Sequence, residues 1–177
     1  MLLTNAFSSL KYIMEGENMK VLFVDFDGVL NSEGYRDDPD LYLEAPIEPA
    51  KMPLLKRIKD ATDCKIVLTT SWREYWSYTG EHTDRIGTFI DKIFSDFGMR
   101  VTGKTPERNF FRRDEEVDFW LRDHHFTKVE SYCILDDLDE LFYDDIIKKH
   151  LIVTNAQTGI TDDDVRRAIE ILNGGIS

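Results

Sequence analysis

Asp25 and Asp27 stand at the end of an apolar, β-branched run, Lys20-Val-Leu-Phe-Val-Asp-Phe-Asp-Gly28. Such a run reads as a buried strand, and a buried strand gains nothing from ending on two acids. Side chains two apart on a strand project the same way, so both carboxylates face one spot while Phe26 turns back into the core. Converging carboxylates repel unless a cation or a proton lies between them, which points to metal binding or acid–base work. Two further apolar runs end on polar groups: Thr70-Ser71-Trp72-Arg73 follows one and Asp136-Asp137 another.

The elements that must position these residues alternate. Strands are expected at the first run, at Lys65 to Thr70, at Met99 to Thr102, at Ser131 to Leu135 and at His150 to Thr154. Between them lie helical patterns. Leu54, Leu55, Ile58 and Ala61 share one face, as do Ile86, Phe89, Ile90, Ile93 and Phe94. A third helix spans Asp114 to His125 with Val117, Trp120, Leu121 and His124 in register, and a last one begins at Thr161 with Asp164 placed for a capping box. Alternation of this kind implies an α/β, Rossmann-like three-layer domain with a five-stranded, mainly parallel sheet. Such sheets bind ligands beyond the carboxyl ends of their strands, where Asp25, Asp27, Ser71, Arg73, Asp136 and Asp137 all fall.

Asp25-Phe-Asp27-Gly28-Val resembles the first motif of the haloacid dehalogenase (HAD) superfamily of phosphatases, Ser71 its second and Asp136-Asp137 its fourth. Asp27-Gly-Val-Leu-Asn31, Thr70-Ser-Trp-Arg73, Arg113-x-x-Glu116-Val, Ile134-Leu-Asp-Asp137 and Thr158-Gly-Ile-Thr161 are similar to small HAD domains linked to bacterial and phage RNA repair. Ser71-x-Arg73 also resembles polynucleotide 3′-phosphatase domains. The resemblance runs from Lys20 to the C-terminus. It implies a capless or minimally capped fold, because only the acidic stretch Glu33 to Pro49 occupies the first cap position.

Phosphate monoesters are dianions, so a carboxylate nucleophile reaches phosphorus only with Mg²⁺ and fixed donors to neutralise charge. Asp25 would attack and form an aspartyl-phosphate. The resemblance gives Asp27 the proton transfers to the leaving oxygen and from water. Mg²⁺ would take Asp25, the Asp27 main-chain carbonyl and Asp136, with Asp137 as a further ligand or bonded behind the ligands, and Ser71 would donate to a phosphoryl oxygen. The family's third-motif cation has three candidates, Lys104, Arg112 and Arg113; Arg113 is favoured because it opens the helix before the fourth strand. Gly28, Trp72, Arg73, Lys104 and Arg112 are the expected substrate-binding residues.

An open site suits a large substrate such as a nucleic-acid end or a phosphoprotein, since a small one would leave water free access; the expected substrate is a polynucleotide end or a nucleotide. The basic run Arg100, Lys104, Arg108, Arg112 and Arg113, interleaved with Phe110 and Phe111, fits that, as does the cluster Trp72, Tyr75, Trp76 and Tyr78. Against it stands the net charge of −12, from 22 basic and 34 acidic residues, which argues against a broad grip on nucleic acid. The alternatives are a phosphatase of a small phosphate ester or phosphoprotein, and a non-enzymatic phosphate-accepting module like a receiver domain. Receivers, however, place their acid pair after the first strand, whereas here it comes late.

With 177 residues the chain suits one domain, expected at 19–177, with residues 1–18 as an extension and Met19 as a possible native start. Nothing in it reads as a signal peptide or membrane span. Cys64 and Cys133 lie at or beside strand runs and read as buried thiols, which suits a reducing, cytoplasmic setting. His124-His125 reads as a helix end rather than a ligand pair. The oligomeric state is open.

Overall fold

The computed structural model describes residues 18–82, 84–107, 112–124 and 129–175. Arg108, Phe110, Phe111, His125 and, but for Asn18, the N-terminal extension lie outside them.

Five strands, β1 (Met19–Val24), β2 (Lys65–Leu68), β3 (Val101–Lys104), β4 (Val129–Asp136) and β5 (Leu151–Val153), form one sheet in the order β3-β2-β1-β4-β5. Every pairing is parallel. Alternation along the strands divides the core. Leu22, Val24, Ile66, Leu68, Cys133 and Leu135 face one layer, and Val21, Phe23, Val67 and Ile134 face the other. A strand buried on both sides must be apolar at every position, which is why these segments read as unbroken hydrophobic runs.

The first layer is covered by α3 (Met52–Thr62), α4 (Arg85–Asp96) and α7 (Asp162–Leu172). Leu55, Ile58, Ile90, Phe94, Val165 and Leu172 are all buried there, each contributing about 1.5–3 kcal/mol of burial. The second is covered by α5 (Arg113–Asp123) and α6 (Asp145–Lys148), through Val117, Trp120 and Ile147. The α7 start carries the expected capping box between Thr161 and Asp164.

Element ends shift by one or two residues elsewhere, and two stretches differ from expectation for a visible reason. β3 begins at Val101 rather than Met99, because Gly98 adopts a left-handed φ of +68° and Met99 N–H still bonds back to Phe94 O, spending those residues on ending α4. The acidic stretch after β1 holds two short helices, α1 (Glu33–Arg36) and α2 (Pro39–Tyr42). Ser32 and Asp38 cap them, Pro39 opens the second, and neither buries a residue. Both cysteines are free and buried.

Candidate active site

Successive connections run outward from β1 in opposite directions, to β2 and β3 on one side and to β4 and β5 on the other. The crevice between β1 and β4 is therefore the topological switch point, where open parallel sheets take their ligands. Register puts the acids there. Val24 pairs with Leu135 and Asp25 N–H bonds Leu135 O at 3.0 Å, so Asp25 and Asp136 leave their strands side by side.

Asp25, Asp136 and Asp137 each offer one oxygen, all within 4.8 Å of one another. Three hard oxygen donors this close suit a divalent cation such as Mg²⁺. Their acidity agrees. Burial, then the proximity of Asp25, raises Asp136 above the usual carboxylate range and pushes Asp137 up to about 6. A bound cation would relieve both. The main chain is shaped around the cluster: Gly28 has φ +67°, and a Cβ there would lie 2.3 Å from Asp137 Oδ2.

Arg113, first residue of α5, inserts its guanidinium between the acids. Its Nη1 donates to Asp25 Oδ2 at 2.6 Å and also to Asp136 Oδ2. Burial alone would lower its pKa, but the two carboxylates outweigh that and hold it well above the ordinary arginine value. Of the three third-motif candidates, it is Arg113 that the structure brings to the acids. Lys104 instead donates to the carbonyls of Arg73 and Trp76, at 2.9 and 2.7 Å. Arg112 binds both oxygens of Asp114 and lies 4.9 Å over the Tyr143 ring.

Asp27 turns aside from the triad. Its Oδ1 accepts from Asn31 Nδ2 at 2.9 Å, and its Oδ2 from Tyr42 Oη at 2.9 Å and Trp72 Nε1 at 3.3 Å. Tyr42 stands edge-on to Trp72, with ring centroids 5.3 Å apart. Burial, then the Asp27 charge, pushes the Tyr42 hydroxyl up to about 12, so it stays a donor.

Ser71 is exposed at the first turn of the 3₁₀ segment after β2, with its hydroxyl unbonded among the described residues. Arg73 is buried instead. Its Nη1 donates to the carbonyls of Thr69 and Thr70, and its Nη2 to Glu116 Oε2 at 2.9 Å. Burial lowers its pKa, and Glu116 opposes the fall.

The aromatic cluster is divided as well. Trp76 is a core residue bonded to Asp91 at 2.8 Å, while Tyr78 is exposed and its hydroxyl lies 3.2 Å from Lys104 N. His124 caps α5 and stacks on Trp120.

The family model for the HAD domain in Swiss Army Knife RNA repair proteins matches residues 21–165. The chain belongs to this HAD family. The HAD domain thus falls in a superfamily of phosphatase-type hydrolases. No curated protein and no solved structure gives a significant match. Among the described residues, no helix of this HAD domain is long and apolar enough to cross a membrane.

Tyr42 and Glu116 were not among the site residues read from sequence. Glu116 carried a signal: it follows Arg113 at i+3, so one helical turn presents both to the site. Tyr42 carried none, because a tyrosine in an acidic stretch marks nothing until α2 folds it back onto Asp27.

Proposed function

We propose that this HAD domain is an Mg²⁺-dependent phosphomonoesterase that works through an aspartyl-phosphate on Asp25, acting on a polynucleotide end. The observation that carries this is Asp25 itself, buried at the switch point, bonded to Arg113 and grouped with Asp136 and Asp137.

In this reading an Asp25 oxygen attacks phosphorus, the P–O ester bond breaks, and the leaving oxygen takes its proton from Asp27. Water then adds to the aspartyl-phosphate and gives its proton to Asp27, releasing inorganic phosphate and restoring Asp25. Arg113 would offset charge on the phosphoryl oxygens, and the Ser71 hydroxyl would donate to one of them. Asp25, Asp136, Asp137 and the Asp27 carbonyl would hold Mg²⁺, which when bound lowers the repulsion between nucleophile and phosphate dianion.

The family's occurrence in RNA repair proteins supports a nucleic-acid end. So does the small size of the cover, two four-residue helices, which leaves room for a large leaving group. A second reading, a small phosphate ester, draws on the contact of Tyr42 and Trp72 with Asp27, which partly encloses the leaving-group side.

The test is phosphate release from 3′- and 5′-phosphorylated oligonucleotides, mononucleotides and an aryl phosphate, with and without Mg²⁺. Release that needs Mg²⁺, is lost in Asp25→Asn and is fastest on an oligonucleotide supports the reading. Undiminished release by Asp25→Asn removes the nucleophile.

A further inference from the structure

The cations around the site differ in one respect. Arg73, Lys104, Arg112 and Arg113 each have side-chain hydrogen bonds to a carboxylate or carbonyl. Arg36 has neither an ion pair nor a side-chain hydrogen bond among the described residues, and its Nε, like that of Arg73, is buried without a partner. This is unexpected for its setting. Glu33 lies at i−3 on the same short helix, and Asp37, Asp38 and Asp40 follow within four residues. An arginine with no other task would pair with one of them, at the small gain usual for surface pairs.

Its direction is informative. Arg36 belongs to the helix pair whose other member, Tyr42, donates to Asp27. The helix that carries Arg36 lies along the carboxyl edge of the sheet, with Glu33 N–H bonded to Ala156 O just past β5 at 2.9 Å and Tyr35 Oη donating to Ala45 O at 2.9 Å. It therefore stands on the side of the site where Asp27 meets the leaving group. Asp25, Asp136 and Asp137 would share Mg²⁺ and Arg113, while Asp27, on the leaving-group side, is held by Asn31, Tyr42 and Trp72 and by no cation. A further fixed cation on that side would favour the approach of an anionic leaving group.

We infer that Arg36 binds a second phosphate, one carried by the leaving group a nucleotide or less from the phosphate being removed. This rests on the phosphatase reading above and narrows its substrate class. A terminal phosphate followed by a phosphodiester, as in an oligonucleotide, supplies such a group. A nucleoside bisphosphate supplies the same chemistry from a free metabolite. Arginine is the suited residue, because its planar fork can hold two phosphate oxygens at once.

The experiment compares kcat/KM for four substrates: an end-phosphorylated oligonucleotide, a nucleoside 3′,5′-bisphosphate, a nucleoside monophosphate and an aryl phosphate. Wild-type protein is expected to favour the first two. Arg36→Ala is expected to lower the ratio of oligonucleotide to monophosphate kcat/KM on the order of tenfold or more. Arg36→Lys should keep part of that ratio, and serves also if Arg36→Ala folds poorly by circular dichroism. A preference for the bisphosphate over the oligonucleotide assigns the second phosphate to a free nucleotide. A ratio unmoved by either substitution overturns the inference, whatever happens to the individual rates. So does a wild-type protein equally active on all four, which leaves the phosphatase reading standing. Failure on every substrate instead removes the phosphatase reading and this inference with it.

Discussion

Arg113 and Asp25 are joined across the switch point, Nη1 to Oδ2 at 2.6 Å, although 88 residues separate them in sequence. The same nitrogen holds Asp136, so one guanidinium ties the ends of two neighbouring strands to the start of α5. Arg113→Ala is expected to lower kcat by about a hundredfold, the usual effect of removing one preorganised charge-stabilising donor. Arg113→Lys should fall less, since the charge is kept while the fork is lost. Equal kcat for wild type and Arg113→Ala on an active substrate would remove it from the reaction.

One turn further along α5, Glu116 pairs with Arg73, and both side chains are about 95% buried. Breaking such a pair strands a charge in the interior. Glu116→Ala should therefore cost about 3–5 kcal/mol in urea unfolding. Replacing both partners with apolar residues should cost markedly less, because no uncompensated ion remains. A loss below about 1 kcal/mol for the single change would place the pair in water rather than in the core.

Metal binding should depend on pH with a defined sign. Asp137 holds its proton up to about pH 6 in the folded chain, against 3.8 for a free carboxyl. Because the folded state binds the extra proton, its contribution to stability in the absence of metal is full below about pH 4 and is lost as pH rises through 6. Mg²⁺ selects the deprotonated triad and reverses the trend. A hundredfold excess over Kd stabilises by about 2.7 kcal/mol. The rise in Tm on adding Mg²⁺ is expected to be several degrees at about pH 7.5 and much smaller at about pH 5, with EDTA abolishing it. A shift of the same size at both pH values would mean that the triad does not hold the ion.

Gly28→Ala combines two faults, a left-handed φ of +67° and a Cβ 2.3 Å from Asp137 Oδ2. The backbone strain alone should cost about 1–3 kcal/mol. Displacement of Asp137 should weaken Mg²⁺ binding as well, read by isothermal titration calorimetry. Unchanged stability and affinity would show that Asp137 swings clear at no cost.

The sheet could be read from sequence because β1, β2 and β4 are buried on both faces, which leaves long apolar runs with abrupt polar ends. The order of the acids along the chain then placed them at one edge by topology alone. Side-chain direction could not be read in this way. Arg73 lies in the same four-residue stretch as Ser71, yet it points inward to a glutamate 43 residues away while Ser71 faces solvent. Helices α1 and α2 are too short to show a period, and their order rests on the Ser32 and Asp38 caps and on Tyr42 reaching Asp27.

Among the described residues, none from those two helices belongs to either hydrophobic cluster of the core. The segment is instead fastened by polar bonds: Glu33 N–H to Ala156 O, Tyr35 Oη to Ala45 O and Tyr42 Oη to Asp27. Because Asn31 and Trp72 also bond Asp27, its carboxylate keeps two of its three partners when Tyr42 alone is changed.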